Sequence, residues 1–278
     1  MQEKLHKVLA RAGHGSRRQL ERWIAEGRIS INGCVAKTGE RIDARQPPLL
    51  TLDQRPLILS HQPLTPCRVL CYYKPEGELC TRQDPQDRPT IFSRLPRLST
   101  GRWITIGRLD LNSSGLLLLT NDGELANRLM HPRYQVQREY AVRVFGTVTA
   151  EQLQRLRQGV RLEDGIARFD TLIPQGGQGS NQWFKVILRE GRTREIRRLW
   201  QSQGVQVSRL IRIRYADVDL PKQLSRGCCQ ELPAVELDRL RRQVGLLPVQ
   251  EEPTISHLVT HSKKTKIHQR SRRRPRGH

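Results

Sequence analysis

Negative charge is scarce in this sequence beside positive charge. Its 278 residues carry 27 Asp+Glu against 49 Lys+Arg, a formal net charge of +22. Residues 263–278 hold eight Lys/Arg and no acid, so fourteen of those net charges remain when the tail is set aside. A surplus on this scale predicts a polyanionic partner, nucleic acid before anionic membrane. Long apolar runs are also missing. The densest is Leu116-Leu117-Leu118-Leu119, far short of the roughly 20 residues of a membrane span. No signal-peptide apolar region follows the N-terminus. Met1–Gly13 is basic and amphipathic, yet it fits the first helix of a folded unit better than a targeting presequence. None of the six cysteines, Cys34, Cys67, Cys71, Cys80, Cys228 and Cys229, forms a CxxC pair, and no His stands at ligand spacing from them. Zinc is therefore not expected, and idle thiols in a reducing cytosol are. The sequence shows no Gly-rich phosphate loop, no nicotinamide fingerprint and no internal repeat.

What is present divides along the chain. Leu5, Val8, Leu9 and Ala12 recur at helical spacing, and Gly13 ends that helix. Ser16 opens a second helix with Gln19 as capping-box partner; Leu20, Trp23 and Ile24 form its apolar stripe and Gly27 stops it. Ile29 and Ile31 alternate as a strand, and Asn32-Gly33 is a hairpin turn leading to Val35. A linker is expected in the Pro-containing stretch from Pro56 to Pro66. Val69 to Tyr73 reads as a buried strand. Beyond it strands and helices mix without strict alternation, which favours α+β. Asp122 is expected to cap a helix that stops at His131-Pro132, and Thr149 with Gln152 another that ends at Gly159. Asp164-Gly165 and Gln175–Gly179 read as hairpin turns, and Thr193 as a helix cap. Expected boundaries are 1–62 for the first unit, 63–67 for a linker, 68–248 for the main domain and 249–278 for a disordered basic tail.

In the first unit, Lys4, Lys7, Arg11, Arg17, Arg18, Arg22 and Arg28 interleave with the apolar positions and must face solvent. Residues 1–62 hold eleven basic and six acidic residues, with the basic ones concentrated before Ser30. The string Lys4-Leu5-x-x-Val8-Leu9-Ala10-x-Ala12-Gly13-x-x-Ser16-Arg17-Arg18, continuing through Gly27-Arg28-Ile29 to Asn32-Gly33, resembles the S4 RNA-binding domain. That resemblance implies phosphate contacts by Lys4, Arg17, Arg18 and Arg28.

Two further regions carry chemistry. Trp103–Gly107 alternates as a strand and runs into Arg108-Leu109-Asp110, then Asn112, Ser113, Ser114 and Gly115. An acid on a loop between two apolar strands is well placed for function, but on spacing alone Asp110 reads as a turn former or salt-bridge partner. Trp183–Leu188 reads as a strand, followed by a turn and a basic helix. Residues 186–214 hold eight Arg and only two acids, Glu190 and Glu195. That suits a phosphate clamp, or equally a solvated basic face.

Gly107-Arg108-Leu109-Asp110-x-x-Ser113-x-Gly115-Leu116-Leu117-Leu118-Leu119-Thr120-Asn121-Asp122-Gly123 resembles the signature of the pseudouridine synthases of the ribosomal small-subunit synthase A type. Lys74-Pro75-x-Gly77, Arg138-Glu139-Tyr140 and Glu190-Gly191-Arg192-x-Arg194-Glu195-Ile196-Arg197-Arg198 match its other motifs in order. The tract Arg68–Arg82 and the basic tail are most similar to the branch of that family acting on the large subunit. Ser113 stands where Thr is usual and keeps its hydroxyl.

The resemblance implies a mixed, largely antiparallel sheet flanked by helices, and isomerisation of a uridine in RNA without cofactor or metal. It implies Asp110 as the catalytic carboxylate, held charged by an inward Arg197 in a pocket. Tyr140 is then the ring that stacks on the extruded base, with Ile196 packed beside it. Lys74 shapes the loop, and Arg108 levers the target out, holds phosphate, or equally forms a salt bridge. Arg194 and Arg198 serve as further RNA contacts. The partner so implied is 23S ribosomal RNA or a pre-ribosomal particle, in the cytoplasm, with the protein acting as a monomer by default. A 16S target is the alternative within the class. The rival from another class is a non-enzymatic S4-type ribosome-assembly factor, which would need neither Asp110, Tyr140 nor Arg197.

Overall fold

The computed structural model describes residues 2–44, 46–59 and 66–248. The expected tail, residues 249–278, lies outside them. At the N-terminus the helices Leu5–Arg11 and Arg17–Ala25 bury Leu5, Leu9, Leu20 and Ile24 against Ile29 and Leu50. Ser16 starts the second helix. Its hydroxyl accepts from the Gln19 N–H at 3.1 Å, and the Gln19 side chain accepts from the Ser16 N–H. Such a cap stabilises a helix by about 1 kcal/mol. Asn32 and Gly33 both take positive φ, 50° and 85°, and turn Ile29–Ile31 back into Cys34–Val35. Left-handed residues at both positions match the twist of a two-residue hairpin. Leu50–Leu52 pairs with the other edge of Ile29–Ile31, and Arg55–Pro56 lies beyond it.

Residues from Val69 onward build the expected α+β domain on a nine-stranded mixed sheet. Its main path runs Thr171–Gln178, Asn181–Leu188, Arg138–Phe145, Gln206–Tyr215, Ser114–Thr120, Val69–Lys74 and Cys229–Glu231. Ile104–Ile106 pairs alongside Ser114–Thr120. Among the described pairings in this sheet, one is parallel: Ile211 opposite Ser114 and Arg212 opposite Gly115. Every residue of Ser114–Thr120 is buried. The four leucines explain this, since a central strand covered on both faces reads as a continuous apolar run. Leu116 and Leu118 face the helices Gly123–Met130 and Ala234–Gln243 through Leu125, Leu129, Leu237 and Leu240. Leu117 and Leu119 face the opposite way, with Leu70, Tyr72, Trp103 and Leu109. Helices Ala150–Gln158 and Glu195–Gln201 pack Leu156, Ile196, Leu199 and Trp200 on the other half of the sheet.

Asp122 and Thr149 cap their helices as expected. Two local expectations need correction. Thr193 is not a cap: Arg194 occupies that position at φ 51°, and the first turn is held instead by Glu195, whose carboxylate accepts from the Arg192 N–H at 3.2 Å. The stretch Gln175–Gly179 is not simply a turn. The strand continues to Gln178 through an irregularity between Pro174 and Gly177, and the reversal falls at Gly179 and Ser180. Glycine-rich sequence there marks a bulge rather than the end of pairing.

Candidate active site

The loop after Ile104–Ile106 carries Arg108, Leu109 and Asp110. Gly107 begins it at φ 76°. Leu109 is buried in the cluster that contains Leu70, Tyr72 and Leu117, and this anchors the loop from below. Lys74 anchors it from the side. Its ammonium is fully buried and donates to the carbonyls of Pro75 at 2.9 Å, Asp110 at 3.1 Å and Ser113 at 2.9 Å. The Ser113 N–H closes the turn onto the Asp110 carbonyl at 3.1 Å, and the Gly77 N–H reaches the Leu111 carbonyl at 2.9 Å. Burial pushes the Lys74 pKa down, and the nearby Cys80, Glu78 and Asp110 oppose that push. The backbone around Asp110 is therefore fixed while its side chain is exposed. This corrects the expectation of a carboxylate enclosed in a pocket: the loop presents Asp110 outward, free of any ion pair within 4 Å among the described residues.

Tyr140 stands half-buried on the face of the sheet shared by two clusters. It packs against the one that holds Leu109 and the one that holds Ile196. Tyr140 thus bridges the cluster under the Asp110 loop and the cluster that holds Ile196, which come from separate parts of the chain. Arg197 comes from the helix Glu195–Gln201. Its guanidinium donates to the Val207 carbonyl at 3.0 Å and the Asn112 carbonyl at 2.8 Å. The expected direct pair with Asp110 is not made. Each terminal nitrogen of the guanidinium is engaged by a carbonyl, and Asp110 faces outward instead. Burial and then the charge of Arg194 lower the Arg197 pKa, while Asp110, within electrostatic range, raises it. A cleft of about 420 Å³ lined by Arg194, Arg197, Gln201 and residues 204–207 opens beside this helix.

Lys4, Arg17, Arg18, Arg108 and Arg194 are exposed, with no carboxylate within 4 Å among the described residues. Arg28 and Arg198 differ. Arg28 is clasped by Asp53 and lies 5.2 Å over the Trp23 ring. Arg198 donates to both Asp164 oxygens at 2.9 and 2.8 Å. Both arginines have their charge met within the protein, so neither is as free for phosphate as the motif suggested.

Arg212 escaped the sequence reading. It is 2% exposed, donates to the Leu116 carbonyl at 2.7 Å, and lies opposite both Tyr140 and Gly115 in the sheet. It therefore joins the Tyr140 strand to the strand that follows the Asp110 loop. The alternation from Leu210 to Arg212 was the available signal, masked by the arginines on either side. Among the described residues, no group of three or more His, Cys, Asp or Glu could hold a metal ion, and no helix is long and apolar enough to cross a membrane.

The Lys74 clamp is testable. Lys74→Met removes the donor from three carbonyls. An unmet buried acceptor costs about 1–3 kcal/mol, offset in part because a buried charge is also removed. We expect a lower melting temperature by circular dichroism. An unchanged melting temperature would show that Lys74 does not hold the loop.

Known proteins share both halves of this architecture. The S4 domain family matches residues 3–45, and the RNA pseudouridylate synthase family matches residues 68–202. A protein of Yersinia pestis named ribosomal large subunit pseudouridine synthase B is 55% identical over 259 residues, 91% of this chain and 81% of that protein. Its namesake in Escherichia coli K12 is 56% identical over 248 residues, 89% of this chain and 85% of that one. A crystal structure of a pseudouridylate synthase superposes with a TM-score of 0.59 at 23% identity, covering 85% of this chain and 99% of the other, and so shares the fold. Identity at this level over nearly the whole chain leaves one conclusion: the chain belongs to the RNA pseudouridylate synthase family and is an isomerase of uridine in RNA.

Proposed function

We propose that this enzyme isomerises a uridine of large-subunit, 23S ribosomal RNA, with Asp110 as its catalytic carboxylate. The substrate rests on the likeness to relatives named for the large subunit, 55% identical across nine-tenths of the chain. The residue roles are supported by one observation, a loop pinned by Lys74 that holds Asp110 outward while its Leu109 lies in the cluster Tyr140 packs against.

In the reaction the bond from N1 of uracil to C1′ of the ribose breaks, the base turns, and C5 bonds to C1′. N1 gains a proton and C5 loses one, so nothing is consumed. The uridine must first leave its stack, at a cost of a few kcal/mol. Phosphate contacts by Arg108, Arg194 and the N-terminal Lys4, Arg17 and Arg18 offset that cost. The extruded base stacks on Tyr140 against Ile196, and it covers Asp110 from solvent as it enters. In this reading the Tyr140 hydroxyl moves the C5 proton. Arg197 ties the Asp110 loop to Val207 and brings positive charge near the carboxylate. This chemistry needs no second copy of the chain and belongs in the cytoplasm, with ribosomal RNA.

The test is to incubate the purified protein with unmodified 16S and 23S RNA and map pseudouridine. We expect a new pseudouridine in 23S RNA alone. Modification confined to 16S RNA would overturn the substrate. Modification confined to pre-ribosomal particles would move the substrate to an assembly intermediate, and none on any of these RNAs would sink the reading.

A further inference from the structure

The N-terminal unit and the catalytic domain meet where the helices Leu5–Arg11 and Arg17–Ala25 join. A Cβ on Gly13 would lie 3.4 Å from the Gly101 nitrogen, so two backbones touch there. The Arg17 guanidinium is 3.5 Å from where a Cβ on Gly123 would stand. The carboxylates at this junction are already engaged. Glu124 takes Arg128 at 2.9 Å and Lys7 at 3.9 Å. Asp122 caps its helix and accepts from Arg241 at 2.9 Å. Glu3 is taken by Arg11 at 3.0 Å.

Three arginines at the junction have no such partner. Among the described residues, Arg17, Arg82 and Arg102 make no ion pair within 4 Å. Arg82 is nevertheless held still. It donates to the Trp103 carbonyl at 2.6 Å, and its guanidinium lies 4.3 Å over the Phe92 ring. Arg102 is half-buried beside Trp103; burial, then the charges of Arg82 and Arg17, lower its pKa. Like charges gathered around a half-buried cation destabilise the free protein. An anion between them would relieve all three.

We propose that Arg17, Arg82 and Arg102 form a seat for one RNA backbone phosphate at the junction of the two domains. Three guanidinium forks with no carboxylate paired to them among the described residues suit phosphate oxygens and offer nothing to read a base. One fork comes from the N-terminal unit and two from the catalytic domain, so an occupied seat fixes both units on a single RNA strand. It thereby sets the spacing between the RNA held by the S4 domain and the uridine at Asp110. The seat rests on the reading that ribosomal RNA is the substrate.

The test compares the full-length wild type with Arg102→Gln and with Arg97→Gln, an exposed arginine outside the cluster. Affinity for unmodified 23S RNA is measured at several salt concentrations, and melting temperature without RNA. For Arg102→Gln we expect affinity about five-fold weaker near physiological salt, and a salt-dependence slope smaller by about 0.7–0.9, the loss of one phosphate contact. Its melting temperature should be unchanged or higher, because repulsion is relieved. Arg97→Gln should keep the wild-type slope. Wild-type affinity and slope in Arg102→Gln would overturn the seat while wild-type activity leaves the substrate reading standing. A clear drop in its melting temperature would make the arginine structural and overturn the seat as well. Stabilisation of the wild type by millimolar inorganic phosphate, with RNA affinity unaltered in Arg102→Gln, would assign the site to a free anion and overturn the RNA assignment. Failure of the wild type to bind any ribosomal RNA would instead sink the substrate reading.

Discussion

Asp110→Asn should abolish turnover and leave RNA binding and stability intact. The substitution keeps shape and removes charge. The loop does not depend on the carboxylate, because Lys74, Ser113 and Gly77 hold its backbone through carbonyl and N–H groups. The side chain is exposed, and surface changes away from such contacts usually stay within about 0.5 kcal/mol. The chemistry depends on the carboxylate entirely in the proposed mechanism, since no other acid of the loop can replace it. The expected loss is on the order of 10⁴-fold or more in single-turnover rate. Pseudouridine mapping on 23S RNA measures the rate, and filter binding measures affinity. A variant within ten-fold of wild type would remove Asp110 from the mechanism. A variant that neither binds nor melts like wild type would show that the carboxylate has a structural role the geometry does not display.

Local signals in this sequence translated well where one residue decides the geometry. Ser16, Asp122 and Thr149 each cap a helix because a side-chain oxygen meets an otherwise unsatisfied N–H a few residues away. Asn32-Gly33 turns a hairpin because both tolerate positive φ. The α+β class followed from the mix of periodicities. Long-range pairing was not legible. Nothing in the spacing of Ser114 and Ile211 announces that they pair in parallel, nearly a hundred residues apart. Charge partners were the weakest part. Arg197 was expected to meet Asp110, yet two carbonyls took its donors. Arg28 and Arg198 were expected to face RNA, yet Asp53 and Asp164 lie within reach. A guanidinium has five donors, and which acceptor it finds depends on tertiary neighbours that no local pattern encodes.

The site is assembled by that parallel pair, and the point where it is most vulnerable is Gly115. Its φ is 105°, a conformation strained for any other residue, and an added Cβ would sit 2.3 Å from the Arg212 carbonyl oxygen and 2.6 Å from the Arg212 nitrogen. Both obstacles are backbone, so no side-chain movement relieves them. Gly115→Ala must part the strands where Ile211 meets Ser114 and Arg212 meets Gly115. Arg212 also faces Tyr140 on its other side, and Ser113, two residues before Gly115, is held by Lys74. The disturbance therefore reaches both sides of the proposed active site. Strain and overpacking together should cost about 3–5 kcal/mol. In a domain of this size that lowers the melting temperature by about 10 °C, and misplacement of Asp110 against Tyr140 should lower kcat by on the order of 10²-fold. Gly107→Ala is the matched control. Gly107 also has positive φ, 76°, but nothing lies within 4 Å of its Cβ position. It should cost only the backbone strain, about 1 kcal/mol. If the two variants melt together, the close approach at Gly115 is not what holds the halves of the sheet in register, and the path from Arg212 to the Asp110 loop fails with it.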